Sequence, residues 1–437
     1  TIITNWGLNS LIWLLLLILA LLVLFEMPIV FALPTSALLY LMITDSFPPM
    51  LVVQRVASGL ESYVLLAIPL FIFAGNLFNS AGISTRIFDF AAACVGHIRG
   101  SLAHVNILAS VIFSGMSGVA QADAAGLGAV EVREMKRRGF SAEFSAAITA
   151  VSSIIGPIIP PSGIMIIYAV LADVSVPDLF LAGIVPGIIM AIFLMMFVYW
   201  LAKTERIEAP LVPRKTPSEI SFAFWRALPA LAAPVFLIGG ILLGFATPTQ
   251  LGALTVVYAI FLGFATKELK FSFLWKSTKE TIVTCGALVF IIAAATPFSA
   301  ILALEGIPQQ LATLLLSISD NPLILLLIVN IALLIFGMVM DTTAILLVAV
   351  PVLVPVMKAL GIDPVHFGIV MVINLLIGTL TPPFGVLLFV MAEVAKVEYR
   401  PLLKQTIPFY LPLIIFLGLV TYVPSLCLSL PDFVFGR

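Results

Sequence analysis

The chain has 437 residues, of which 62% are hydrophobic and only 10% charged, with a net charge of −1. A soluble domain averages about 25% charged residues, so a chain this poor in charge cannot cover its own surface in water, and nothing in the near-neutral balance suggests a nucleic-acid binder. Three scattered cysteines, Cys94, Cys285 and Cys427, form no Cys-x-x-Cys pattern and support neither a disulfide framework nor a zinc site.

Apolar stretches long enough, or nearly so, to cross about 30 Å of hydrocarbon make this an all-α polytopic membrane protein. Basic residues are retained in the cytoplasm. All but three of the 21 fall into five clusters, at 86–99, 133–138, 203–226, 267–279 and 396–404, which are therefore placed inside. The spans alternate accordingly. Residues 11–25 run inward; without a basic n-region, and with a second apolar stretch close behind, they read as a membrane helix rather than a signal peptide. Residues 28–44 go out, 47–62 lie along the outer interface with scattered polar side chains, and 63–82 return. Residues 141–172 go out with a break, and 179–201 return to a polar cytoplasmic loop at 202–221. Residues 227–244 go out and 252–266 come in. Residues 267–279 form an inner interfacial stretch, 282–304 go out, 369–394 return with their own break, and 407–426 exit. Both termini fall outside.

Two segments, 102–132 and 322–357, do not fit as simple spans. Each has short apolar arms around a small polar centre, "SGMSG" at 114–118 and "GMVMDTT" at 337–343. The arms at 102–113 and 323–336 reach only about 18–21 Å as helix, too short to cross. Both segments read as re-entrant hairpins, the first entering from the cytoplasm and the second from outside. Moving along the chain by some 220 residues maps the first set of elements onto the second. "GPIIPPSG" (156–163) falls on "GTLTPPFG" (378–385), and "LFNSAGI" (77–83) falls on "ILALEGI" (301–307). The second copy starts in the opposite orientation. Inverted repeats with interrupted helices point to a secondary transporter with its site near the bilayer midplane.

A double proline removes two backbone donors and pushes the preceding residue, Ile159 or Thr381, away from helical angles. The carbonyls freed at each break are hard oxygen ligands suited to a small cation. At the hairpin tips, helix N-termini offer N–H groups to an anion and helix C-termini offer carbonyls to a cation. One sodium site is read at Ser114, Gly115, Ser117, Gly118, Gly156, Pro160 and Ser162. A second is read at Gly337, Asp341, Thr342, Thr343, Gly378, Thr379, Thr381 and Pro382. An organic anion lies between them, against Ser117, Gly118, Ser162, Thr342, Pro383 and Phe384. Asp341 is either a cation ligand or the N-cap of the second arm, or both. Asp123 sits among small residues that fit close helix packing or a functional role. Asn106 and Asn330, in matching Val-Asn-Ile triplets, are read as ties between arms rather than substrate contacts. His97, His104 and His366 fall at membrane edges, and no Lys or Arg lies in the centre. Phe384 stands where the first copy has Ser162, a difference that fits either cavity shape or packing.

"SGMSGVAQADAAGLGAV", "GPIIPPSG", "GMVMDTTAILLVAVPVLVPV" and "GTLTPPFG" together resemble the large membrane subunit of TRAP transporters, over essentially the whole chain. The resemblance implies the ion-transporter fold, with a scaffold and a transport domain that moves as an elevator. It implies sodium-coupled uptake of an organic acid, such as a C4-dicarboxylate, sialic acid or another sugar acid, across a bacterial inner membrane. It also implies two partners, a small four-helix membrane subunit and a periplasmic binding protein. On this reading residues 1–62 and 227–280 are scaffold spans with an outer and an inner arm. Residues 63–172 and 281–395 are the two transport halves, 173–226 a span and loop, and 396–437 the closing span. A channel would fit the hairpins but not paired broken helices, and Ser117 has no base at depth to make an enzyme. The alternative is a stand-alone sodium–dicarboxylate symporter of related fold.

Overall fold

The computed structural model describes residues 10–61, 63–80, 83–207 and 213–436, with the side chains of 10–13, 79, 80, 83 and 117 outside that description. The expected outer N-terminus (1–9) and part of the 202–221 loop therefore lie outside the described residues. Those described form helices joined by short turns, with no strand among them. The N-terminal part comprises α1 (Ser10–Leu24), α2 (Ile29–Thr44), α3 (Met50–Leu60), α4 (Ala67–Ser80) and α5 (Ile83–Val95). The first hairpin segment follows as α6 (Leu102–Ser117), α7 (Ala120–Ala125) and α8 (Leu127–Arg137). The first broken helix is α9 (Ala142–Ser153) and α10 (Gly163–Ala172). Next come α11 (Val176–Lys203), α12 (Pro217–Leu242), α13 (Pro248–Ala265), α14 (Phe271–Leu304) and α15 (Ile307–Ile318). The second hairpin segment is α16 (Pro322–Val339) and α17 (Thr342–Ala359), the second broken helix α18 (Pro364–Gly378) and α19 (Val386–Ala395). The chain closes with α20 (Tyr399–Tyr422) and α21 (Ser425–Phe435).

Local chemistry sets many of these limits. Capping boxes start α12, through Thr216 and Glu219, and α13, through Thr247 and Gln250, each with proline just inside the helix. Asp363 starts α18 by accepting from the N–H groups of Val365 and His366 at 2.7 and 3.1 Å. Among the described residues α11, α12, α13, α14, α16, α17 and α20 are long and apolar enough to cross a membrane. Helices α9 and α18 lie at the centre. Every residue from Phe144 to Ser153 and from Val365 to Gly378 is buried, as expected of helices surrounded on all sides by others.

Several elements differ from the sequence reading. The stretch 267–279 is not a separate interfacial helix. From Phe271 it runs unbroken into the following span as one 34-residue helix, about 51 Å long and well beyond the hydrocarbon thickness. The first arm of the second hairpin continues past Phe336 to Val339 and, like its partner α17, has 18 residues. Arm length therefore gives no argument for re-entry of that pair. In the first hairpin α6 has 16 residues and the returning arm is split at Gly126. Helices α5 and α15 were not read from the sequence at all.

Candidate functional site

Both double prolines interrupt a helix. The Pro160–Pro161 and Pro382–Pro383 bonds are cis. Past α9 the chain makes short turns, with Ile155 N–H on Ser152 O at 3.0 Å and Ile158 N–H on Ile155 O at 3.0 Å. Among the described residues the carbonyls of Gly156 to Pro161 then accept no backbone hydrogen bond. In the second break the carbonyls of Thr381, Pro382 and Pro383 are in the same condition, while Tyr410 Oη donates to Leu380 O at 2.6 Å and Tyr399 Oη to Phe384 O at 3.3 Å. Proline explains the pattern, since it supplies no N–H and cannot extend the ladder.

Each break meets a hairpin tip through glycine. Gly118 ends α6 in the left-handed region, φ 64°, and a methyl group there would overlap the carbonyl oxygen of Pro161. In the second half the two backbones touch directly, because a Cβ on Gly378 would stand 2.7 Å from both Cα and C of Gly337. Phe384 N–H donates to Met338 O at 3.3 Å, tying the second break to the end of α16.

The hydroxyls near these junctions share one habit. Ser114 Oγ donates to Val111 O at 2.5 Å, Thr379 Oγ1 to Leu376 O at 2.6 Å and Thr381 Oγ1 to Ile377 O at 2.8 Å. Each proton goes to a carbonyl three or four residues back along the chain, which leaves oxygen lone pairs for an electropositive partner. Thr342 is buried, and its Oγ1 has no hydrogen-bond partner among the described residues. Ser162 and Asp341 act as N-caps, Ser162 Oγ accepting from Met165 N–H at 3.3 Å and Asp341 Oδ2 from Thr343 N–H at 2.9 Å. Asp341 is exposed, so the capping half of its reading is visible in the structure. Among the described residues no three His, Cys, Asp or Glu side chains gather; the oxygen donors of the junctions are carbonyls and hydroxyls.

Other candidate residues divide. Asp123 reaches the first break, its Oδ2 filling the space a methyl on Gly156 would need. Gly115 packs against Pro234 in α12, where a methyl group would overlap the proline ring. Pro160 is buried in the first break. The side chain of Ser117 lies outside the described residues. Asn106 binds α6 to α9, donating to Thr149 Oγ1 at 2.6 Å and accepting from Ser152 Oγ at 2.6 Å. Asn330 donates to Thr421 Oγ1 at 2.9 Å and accepts from Asn374 Nδ2 at 2.8 Å. Ser152 and Asn374 lie at equivalent places in the two motifs, four residues before Gly156 and Gly378, and that register was the signal by which both could have been found. The halves differ in exposure. Gly156 to Ser162 are all buried, whereas Pro383 and Phe384 are exposed, Phe384 at 52%.

Residues 16–426 match the family described as Tripartite ATP-independent periplasmic transporter, DctM component. The chain belongs to this family. It is 42% identical, over 94% of its length and 96% of the relative's, to the sialic acid TRAP transporter large permease protein SiaM of Vibrio cholerae. It is 38% identical, over 86% of its length and 87% of the relative's, to the C4-dicarboxylate TRAP transporter large permease protein DctM of Pseudomonas aeruginosa. Among solved structures, the YdaH transporter of Alcanivorax borkumensis shares the fold, with a TM-score of 0.62 at 14% identity over 85% of this chain and 87% of that one. This TRAP large permease is thus a multi-pass membrane transporter component, not an enzyme.

Proposed function

We propose that this permease carries out sodium-coupled uptake of an organic acid anion across a bacterial inner membrane. The acid is sialic acid, a C4-dicarboxylate or another sugar acid, the first two being the solutes in the relatives' names. A periplasmic binding protein delivers it, and a small four-helix membrane subunit completes the complex. One observation carries the reading. Twice, a glycine at the end of a hairpin arm is pressed against a proline-opened helix, Gly118 on Pro161 and Gly337 on Gly378, and each break leaves carbonyls without a backbone hydrogen bond among the described residues, Gly156–Pro161 in the first and Thr381–Pro383 in the second. Carbonyl and hydroxyl oxygens gathered without thiolate or imidazole suit a hard monovalent cation. Helices α10 and α17 begin at these junctions and direct N–H groups toward an anion held between them.

The two ions offset the charge of the acid. A single ionised carboxylate at mid-membrane costs roughly 2.5–3.5 kcal/mol on the insertion scale, so a loaded body crosses readily only with its cations bound. In this reading the two halves are inverted repeats, α4–α10 and the matching part of α14–α19 move as an elevator, and α1–α3 with α12, α13 and α20 form the scaffold. The exposed Phe384 side of the second break opens toward solute. Reconstitution separates this from a stand-alone symporter. The chain with its small subunit accumulates the acid only when binding protein is added, and equal accumulation from free acid by the chain alone refutes the tripartite reading.

A further inference from the structure

Helix α8 is too short and too charged to be a membrane-spanning helix, yet it buries one carboxyl. Glu131 is 1% exposed, while Arg133, Lys136 and Arg137 on the same helix are exposed. A directed line of hydrogen bonds ends on it. Ser110 Oγ donates to Ser152 Oγ at 3.0 Å, and Ser152 Oγ donates to Asn106 Oδ1 at 2.6 Å. Asn106 Nδ2 donates to Thr149 Oγ1 at 2.6 Å, and the Thr149 hydroxyl bonds the Glu131 carboxyl. The other oxygen, Oε1, is buried without a hydrogen-bond partner among the described residues.

Charge makes that oxygen unusual. Helix α8 packs against α5, α6, α7, α9 and α19. Their titratable side chains are Arg86, Asp89 and Cys94 on α5, His104 on α6, Asp123 on α7, Glu143 on α9 and Glu393 on α19. Arg86 is paired with Glu268 at 2.6 Å, and His104 Nε2 lies 2.8 Å from Arg99 O. The charge acting on Glu131 is that of Asp123, a second buried carboxylate. A buried carboxylate facing another, with no cation paired to it among the described residues, is stable only as the neutral acid.

We propose that Glu131 is a proton-binding site, holding a proton on Oε1 at neutral pH while Thr149 donates to its other oxygen. The first hairpin then carries a bound proton in addition to any sodium ion, and the line of donors from Ser110 to Thr149 holds the acid in place. Neither Glu131 nor its hydrogen-bonded chain belongs to the junctions; the one link is Asp123, whose carboxylate lies against Gly156.

Infrared spectroscopy of the full chain in lipid nanodiscs tests this directly. At neutral pH the wild type shows a protonated-carboxyl C=O band that Glu131→Gln removes and Asp341→Asn leaves in place. Glu131→Gln keeps the wild-type unfolding temperature, since an amide replaces a neutral acid of the same shape. Asp123→Asn removes the like charge and moves loss of the band on alkaline titration to higher proton concentration. Saturating sodium leaves the wild-type band intact. A band that survives Glu131→Gln, the absence of a band in the wild type, or its displacement by sodium overturns the assignment.

Discussion

Gly378→Ala probes the second junction where its geometry is tightest. An added Cβ meets Cα and C of Gly337 at 2.7 Å, whereas carbon atoms rest about 3.5–4.0 Å apart. Both obstructing atoms are backbone, so relief requires α16 and α18 to separate by about 1 Å. Gly378 is helical and not in the left-handed region, so alanine carries no conformational penalty; on propensity alone it would stabilise by ~0.5–1 kcal/mol. Overpacking of this kind costs ~1–3 kcal/mol, and any net loss is therefore steric. Gly337→Ala, whose Cβ would meet Gly378 Cα at 3.2 Å, costs less. Gly239→Ala and Gly418→Ala meet nothing within 4 Å and serve as neutral controls. Thermal unfolding in nanodiscs, with and without sodium, is the assay. The order of loss is Gly378→Ala, then Gly337→Ala, then the controls, and the stabilisation conferred by sodium falls at least tenfold in apparent affinity in Gly378→Ala. If Gly378→Ala unfolds like the controls and binds sodium like the wild type, the junction is not the closed contact described here.

Asp341→Asn separates the two roles of that residue. Asparagine caps as well as aspartate, so stability changes by less than about 0.5 kcal/mol, while the sodium concentration for half-maximal uptake rises about tenfold or more; unchanged sodium affinity leaves Asp341 a cap only. Asn330→Leu removes the donor to Thr421, whose hydroxyl keeps its bond to Leu417 O, and takes one acceptor from Asn374, and Asn106→Leu breaks the bonds to Thr149 and Ser152. Each costs ~1–3 kcal/mol in thermal unfolding, the range for a buried polar group left unpaired, with no change in which acid is transported. A shift in substrate preference in either variant would make these asparagines part of the solute site.

The breaks were legible because proline acts locally. Pro160, Pro161, Pro382 and Pro383 stop a hydrogen-bond ladder whatever surrounds them. Tip positions such as Gly118 were legible for a similar reason, since a left-handed turn calls for glycine. What a residue faces is set by tertiary packing and was less accessible. That Gly115 accommodates Pro234 of a distant helix could not be read from its place in the tip motif. Gly337 looked like the tip of an arm, yet α16 runs through it, because its missing side chain is used for contact with Gly378 rather than for a turn. Lys267, Lys270, Lys276 and Lys279 suggested an interfacial stretch and hid that a helix from Phe271 continues straight into the span. Glu131 was lost among the exposed charges of α8, where composition alone cannot single out the one buried carboxyl. Helices α5 and α15 carry polar faces, with Arg86 and Asp89 in one and Gln309 and Gln310 in the other, and so gave no transmembrane signal.

Cations at the two glycine junctions drive the solute in this mechanism. The most direct measurement is accumulation of labelled acid in proteoliposomes holding the complete complex and binding protein, under an inward sodium gradient with the membrane potential clamped. Concentrative, sigmoidally sodium-dependent uptake that weakens in Gly378→Ala is the predicted result. Equal accumulation with choline in place of sodium would contradict it.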